Sequence, residues 1–171
     1  MRKLWVVLAV VGVLVAGCGF KLMDTPYTPQ SLVTGHGELA LGQFTYSAPS
    51  ENQHDVKWSP GWCGFNEKYT VPEYIRRAHA LELKNCGFTI SESAKTAISA
   101  NINSISIKYF GFGAEVKYSV TYTVDKGGER KEYTYDLKRD SVPNGTNYML
   151  TINSMVCEGI ERVVRDAKIS N

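Results

Sequence analysis

The stretch that most constrains this chain runs from Val116 to Leu137. Val116, Tyr118, Val120, Tyr122 and Val124 alternate strictly with Lys117, Ser119, Thr121 and Thr123. Period two is the side-chain repeat of a strand with one face buried and one face wet. Asp125-Lys126-Gly127-Gly128 then supplies a hairpin turn, with glycines where positive φ is needed. Tyr133, Tyr135 and Leu137 bring the chain back against Glu132, Thr134, Asp136 and Lys138. An antiparallel sheet with one apolar face follows, and something else in the chain must cover that face.

Two amphipathic helices are available to do so. The first begins at Val71-Pro72-Glu73, where proline suits the first turn and the glutamate suits the positive end of the helix dipole. Tyr74, Ile75, Ala78 and Leu81 recur at helical spacing, and Asn85-Cys86-Gly87 is a stop. His79 lies at the edge of this stripe and reads as a hydrogen-bonded structural residue. The second starts at a cap on Thr146 or Asn147 and runs to about Ala167. Met149, Ile152, Val156, Ile160 and Val163 form one stripe, flanked by Leu150, Cys157 and Val164, while Glu158, Glu161, Arg162 and Arg165 face water. Earlier strands are expected over residues 37–46 and 88–90, and Ile105, Ile107 and Tyr109 alternate with Ser104, Ser106 and Lys108. The expected fold is α+β: an antiparallel sheet of about four strands with two helices on one face, in the order β-α-β-β-β-α. The two helices are expected to run parallel to each other.

Residues 47–70 show no clear period but concentrate Trp58, Trp62 and Phe65 around Pro60, Gly61, Cys63 and Gly64. A loop of that length within a domain is functional or plugs the core. Both readings stay open here, and the first makes Trp58, Trp62 and Phe65, with Lys117 on the polar sheet face, candidates for partner binding.

At the other extreme of the chain, Arg2 and Lys3 precede an apolar run from Leu4 to Val15, then Ala16-Gly17-Cys18. This resembles a bacterial lipoprotein signal with its lipobox. The resemblance implies that Cys18 carries diacylglycerol and an acyl chain after cleavage, with no other cofactor. Residues 1–17 are then the signal peptide, 18–36 a lipidated tether containing Pro26 and Pro29, and 37–171 a single periplasmic domain. The apolar run is shorter than the ~20 residues of a spanning helix. Gly19, where an aspartate would retain such a protein in the inner membrane, implies the outer membrane by the same resemblance.

Arg2 and Lys3 account for two of the 19 basic residues, so the chain after the signal carries 17 against 17 acidic residues. That balance argues against a nucleic-acid partner. Cys63, Cys86 and Cys157 remain after lipidation, an odd number in a compartment where disulfides persist. A Cys86–Cys157 bridge between the helices is expected, with Cys63–Cys86 as its rival. No catalytic constellation stands out, and His36, His54 and His79 fall at unrelated spacings that point to no metal site.

Cys18-Gly19-Phe20-Lys21-Leu22, the helix end Leu83-Lys84-Asn85-Cys86-Gly87-Phe88, the Tyr118–Val124 strand with its Asp-Lys-Gly-Gly turn, and the closing helix together resemble small α/β outer-membrane lipoproteins. These include the YajG-type, ABC-transport auxiliary and LptE-like lipoproteins. The resemblance implies a non-enzymatic, membrane-anchored accessory of an envelope transport or biogenesis complex, with an envelope protein as partner and only Cys18 as an assigned residue. Two alternatives stand beside it: a carrier of lipid or lipopolysaccharide, and a periplasmic inhibitor or immunity lipoprotein.

Overall fold

The computed structural model describes Leu22 and residues 25–66 and 68–169. The element order is β1 (Glu38–Tyr46), β2 (Asp55–Trp58), β3 (Gly61–Gly64), α1 (Val71–Asn85), β4 (Thr89–Ile90), β5 (Thr96–Phe110), β6 (Gly113–Lys126), β7 (Glu129–Pro143) and α2 (Tyr148–Asp166), with a 3-10 turn at Ser50–Asn52. Among the described residues no helix is long and apolar enough to cross a membrane.

The sheet has seven strands where about four are expected, and it is mixed where an antiparallel one is expected. Its centre is as the alternation demands: β5, β6 and β7 form a long antiparallel meander, with Ile102 opposite Val120 and Val120 opposite Tyr135. The difference lies on the other edge of β5, which is long enough to take two short strands end to end. β1 pairs with it in parallel over Ala97–Ile102, and β2 pairs in parallel through Ser106 and Ile107. β3 then folds back on β2, and β4 extends the sheet beyond β1. Residues 55–64 of the expected 47–70 loop are therefore a hairpin. Each arm has only four residues, too few to show a period.

Both helices cover the face that carries Tyr118, Val120, Tyr122 and Val124, all fully or almost fully buried. α1 is set by a reciprocal cap, Thr70 Oγ1 accepting from the Glu73 amide while the Glu73 carboxylate accepts from the Thr70 amide. Asn147 caps α2 by accepting from the Met149 amide at 3.1 Å. His79 is the structural residue its position suggests. Its Nδ1 meets the Ile75 carbonyl at 2.7 Å, its Nε2 meets the Tyr122 hydroxyl at 3.0 Å, and Phe44 packs edge-on at 4.9 Å.

The segment expected to be a tether is a strap, corrected here for Leu22 and residues 25–36. The Leu22 amide donates to the Gly64 carbonyl on the outer edge of β3. Thr25 receives the Tyr74 hydroxyl through its carbonyl and the Asn147 amide through its hydroxyl. Tyr27, Gln30 and Ser31 donate to the buried Glu82 carboxylate, Ser31 also donates to Glu161, and the Gly35 amide donates to the Cys86 carbonyl. The strap therefore meets α1 and α2 in the same order, at their first turns and then near their last. The helices run parallel, and the strap follows their seam.

Candidate interaction surface

The face of the sheet turned away from the helices is open. Asn101, Asn103, Thr121 and Thr134 form a hydrogen-bonded ladder across β5, β6 and β7, Asn101 donating to Asn103 at 2.8 Å and Asn103 to Thr121 at 3.0 Å, with Thr121 and Thr134 3.0 Å apart. Ladder formation fixes these polar ends before any partner arrives, so less rotamer entropy is lost on contact. A shallow groove of about 400 Å3 runs beside it, bordered by Gln43, Thr45, Ser99, Thr123 and Arg130.

Strand register decides what continues this face toward the β5–β6 turn. Trp62 pairs with Lys57, Lys57 with Ser106, Ser106 with Lys117 and Lys117 with Lys138, so one row crosses five strands. Glu115 bridges Lys117 and Lys138, each at 2.9 Å, and Lys138 also meets Asp140. The two lysines, Lys138 first, hold the Glu115 carboxyl down at about 2. Lys108 sits opposite Glu115, and Phe110 follows on the same face. Phe112 projects from the turn with 98% of its surface exposed, Phe110 with 47% and Trp62 with 42%.

The three aromatics expected to act together are thus divided. Phe65 is wholly buried, edge-on to Tyr74 at 5.1 Å, and is core. Trp58 plugs the end of the core, edge-on to Tyr109 at 4.7 Å and to Tyr148 at 5.9 Å. Only Trp62 is on the surface, because Gly61 and Cys63 on either side of it alternate toward the helix face. Lys117 is on the open face as its alternation requires. Lys57, Lys108, Phe110 and Phe112 are the surface residues missed from sequence. Phe110 and Phe112 flank Gly111, and a glycine-spaced turn carrying two aromatics was the available signal.

Cysteine pairing is corrected. Cys63, Cys86 and Cys157 are all free and buried. Cys63 lies on β3 near the start of α1, and Cys86 caps the end of that 15-residue helix, about 22 Å away by helical rise. The Cys86 thiol donates instead to the Ser31 hydroxyl at 3.3 Å. Burial, chiefly, pushes the Cys63 thiol up to about 11 and the Cys157 thiol up to about 12, the latter with help from Glu82 and Glu161. Cys18, the expected lipidation site, lies outside the described residues.

A second groove, about 600 Å3, opens between the strap and α1 and is bordered by Pro26, Tyr27, Tyr69, Tyr74, Arg77 and Leu81. Arg77 donates to the Tyr69 hydroxyl at 2.7 Å and lies over its ring. Among the described residues no group of histidines, cysteines and carboxylates is arranged to hold a metal ion.

No family model and no curated protein matches the chain. Solved structures do. An uncharacterized protein shares 12% identity over 82% of this chain and 97% of its own, with a TM-score of 0.52. Protein XCC0632 from Xanthomonas campestris, described under the family model DUF330, shares 9% over 84% of this chain and 92% of its own, with a TM-score of 0.54. Lipoprotein GNA1162 from Neisseria meningitidis shares 8% over 76% and 99%, with a TM-score of 0.45. What the chain has in common with the first two is its fold.

Proposed function

We propose that this chain is a lipid-anchored protein of the bacterial envelope, acylated on Cys18 and held at the periplasmic face of the outer membrane. There it serves as a non-enzymatic accessory of a transport or biogenesis complex. Its partner is an envelope protein, which it meets through the open sheet face. The observation that supports this most is the contrast between the two faces of one sheet. One is covered by two helices and a strap, while the other presents a hydrogen-bonded polar ladder ending at Lys117.

A carrier for acyl chains would need room between sheet and helices, and that space is filled by Ile105, Tyr118, Tyr122, Met149 and Ile152, all without exposure. The test is a photo-crosslinking residue placed at Thr121 and, separately, at Thr134, both on the ladder, in living cells. Capture of one and the same transporter subunit or barrel protein at both positions supports the accessory role. Recovery of lipid alone moves the carrier reading to first place, and recovery of a single hydrolase moves the inhibitor reading there.

A further inference from the structure

Anchoring through Cys18 has a geometric consequence. Leu22 is hydrogen-bonded to Gly64 on the outer edge of β3, with its own side chain buried. Cys18 precedes it by four residues, so the lipidated sulfur's backbone lies within about 14 Å of β3 at full extension. A free tether of the whole 18–36 segment would have let the domain stand about 60 Å from the bilayer. The strap removes that freedom and brings the β2–β3 hairpin to the membrane surface.

What the hairpin and the neighbouring β5–β6 turn present is suited to that surface. Trp62, Phe110 and Phe112 are exposed at the same end of the open face. Lys57 and Lys108 are exposed among them, and neither is in an ion pair among the described residues. Including Lys117 and Lys138, this end carries four lysines against Glu115 and Asp140. Aromatic rings seat at the level of lipid headgroups, and lysines pair with their phosphates.

Resting on the Cys18 reading, we propose that the end of the sheet formed by Trp62, Phe110 and Phe112, with Lys57 and Lys108, docks on the bilayer that holds the protein's own lipid. The three rings enter the headgroup layer, the lysines meet phosphate, and the Asn101–Thr134 ladder is left facing the periplasm. The anchor and the docked end together give the domain one orientation on the membrane.

The test uses the full acylated protein in vesicles of phosphatidylethanolamine and phosphatidylglycerol with brominated acyl chains, which quench only inserted fluorophores. After signal removal Trp58 and Trp62 are the only tryptophans, so Trp58→Phe leaves Trp62 as sole reporter. Phe112→Trp and Thr134→Trp are read in a Trp58→Phe, Trp62→Phe background. Loss of about half or more of the emission at positions 62 and 112, with position 134 unaffected, is the expected result for an interfacial residue. Emission at 62 and 112 that resists bromine but yields to aqueous acrylamide overturns the docking. Emission shielded from both quenchers also overturns it, in favour of a second copy or another protein on this end. Palmitate incorporation is measured on the same sample. Its absence removes the Cys18 reading itself, whereas acylated protein with unquenched reporters removes only the docking.

Discussion

The Tyr27 hydroxyl and the Glu82 carboxylate meet at 2.6 Å across 55 residues of sequence, with Glu82 wholly withdrawn from solvent. The same carboxylate accepts from the backbone amides of Gln30 and Ser31. One buried acid on α1 therefore holds three donors of the strap. Burial first, and Glu82 second, push the Tyr27 phenol far above its ordinary range, so it remains the donor.

Glu82→Ala would leave those three donors unmatched in a dry seam. The expected loss is about 3 kcal/mol or more in urea denaturation, since each stranded buried group costs roughly 1–3 kcal/mol. Tyr27→Phe, which removes one donor and leaves the others, should cost about 1 kcal/mol. In the alanine variant hydrogen exchange at residues 27–33 should accelerate well before that of β6.

His79 gives the fold an acid limit. Burial lowers its pKa to about 4, against 6.5 in the unfolded chain, and the neutral ring bridges Ile75 and Tyr122. Between those values the unfolded state binds the extra proton, so stability is full above about 6.5 and falls as pH drops toward 4. The span corresponds to roughly 3 kcal/mol. Denaturation midpoints measured from pH 7 to 4 should show this slope, and His79→Gln should flatten it.

Trp58 and Trp62 should separate cleanly. Trp58→Ala removes a ring packed on Tyr109 and Tyr148 and should cost about 3 kcal/mol. Trp62→Ala removes an exposed ring and should change stability by less than about 0.5 kcal/mol. Thermal melts of the two variants decide it. If Trp62→Ala melts as early as Trp58→Ala, Trp62 belongs to the core plug.

The three thiols should behave as buried hydrophobes. Maleimide should leave Cys63, Cys86 and Cys157 unlabelled in the native protein and modify all three in denaturant, with electrophoretic mobility unchanged by reductant. A mobility shift on reduction would restore the expected bridge.

Much of this architecture was legible because it rests on local periodicity. Val116 to Val124 can bury one face only as a strand, Val71-Pro72-Glu73 suits a helix start, and the Met149 to Val163 stripe needs a sheet to lie on. The candidate residues Trp58, Trp62 and Phe65 lie in a stretch without a period, so these patterns could not sort them. Which edge of β5 receives β1 and β2, and in what register, carries no such signal, since short parallel strands are placed by the elements that surround them. That register is what sends Trp62 to the surface, holds Phe65 and Trp58 inside, and aligns Lys57 with Lys117. The strap was hidden for a similar reason: residues 25–36 have no period and read as a tether. Their place is set by Glu82 and Glu161, whose value as acceptors exists only once α1 and α2 stand side by side. Local pattern thus placed the β5–β6–β7 meander and the two helices. Long-range pairing alone decided where β1 to β4 and the strap lie, and so which face of the sheet stays open, because neither the short strands nor the strap carries a period of its own.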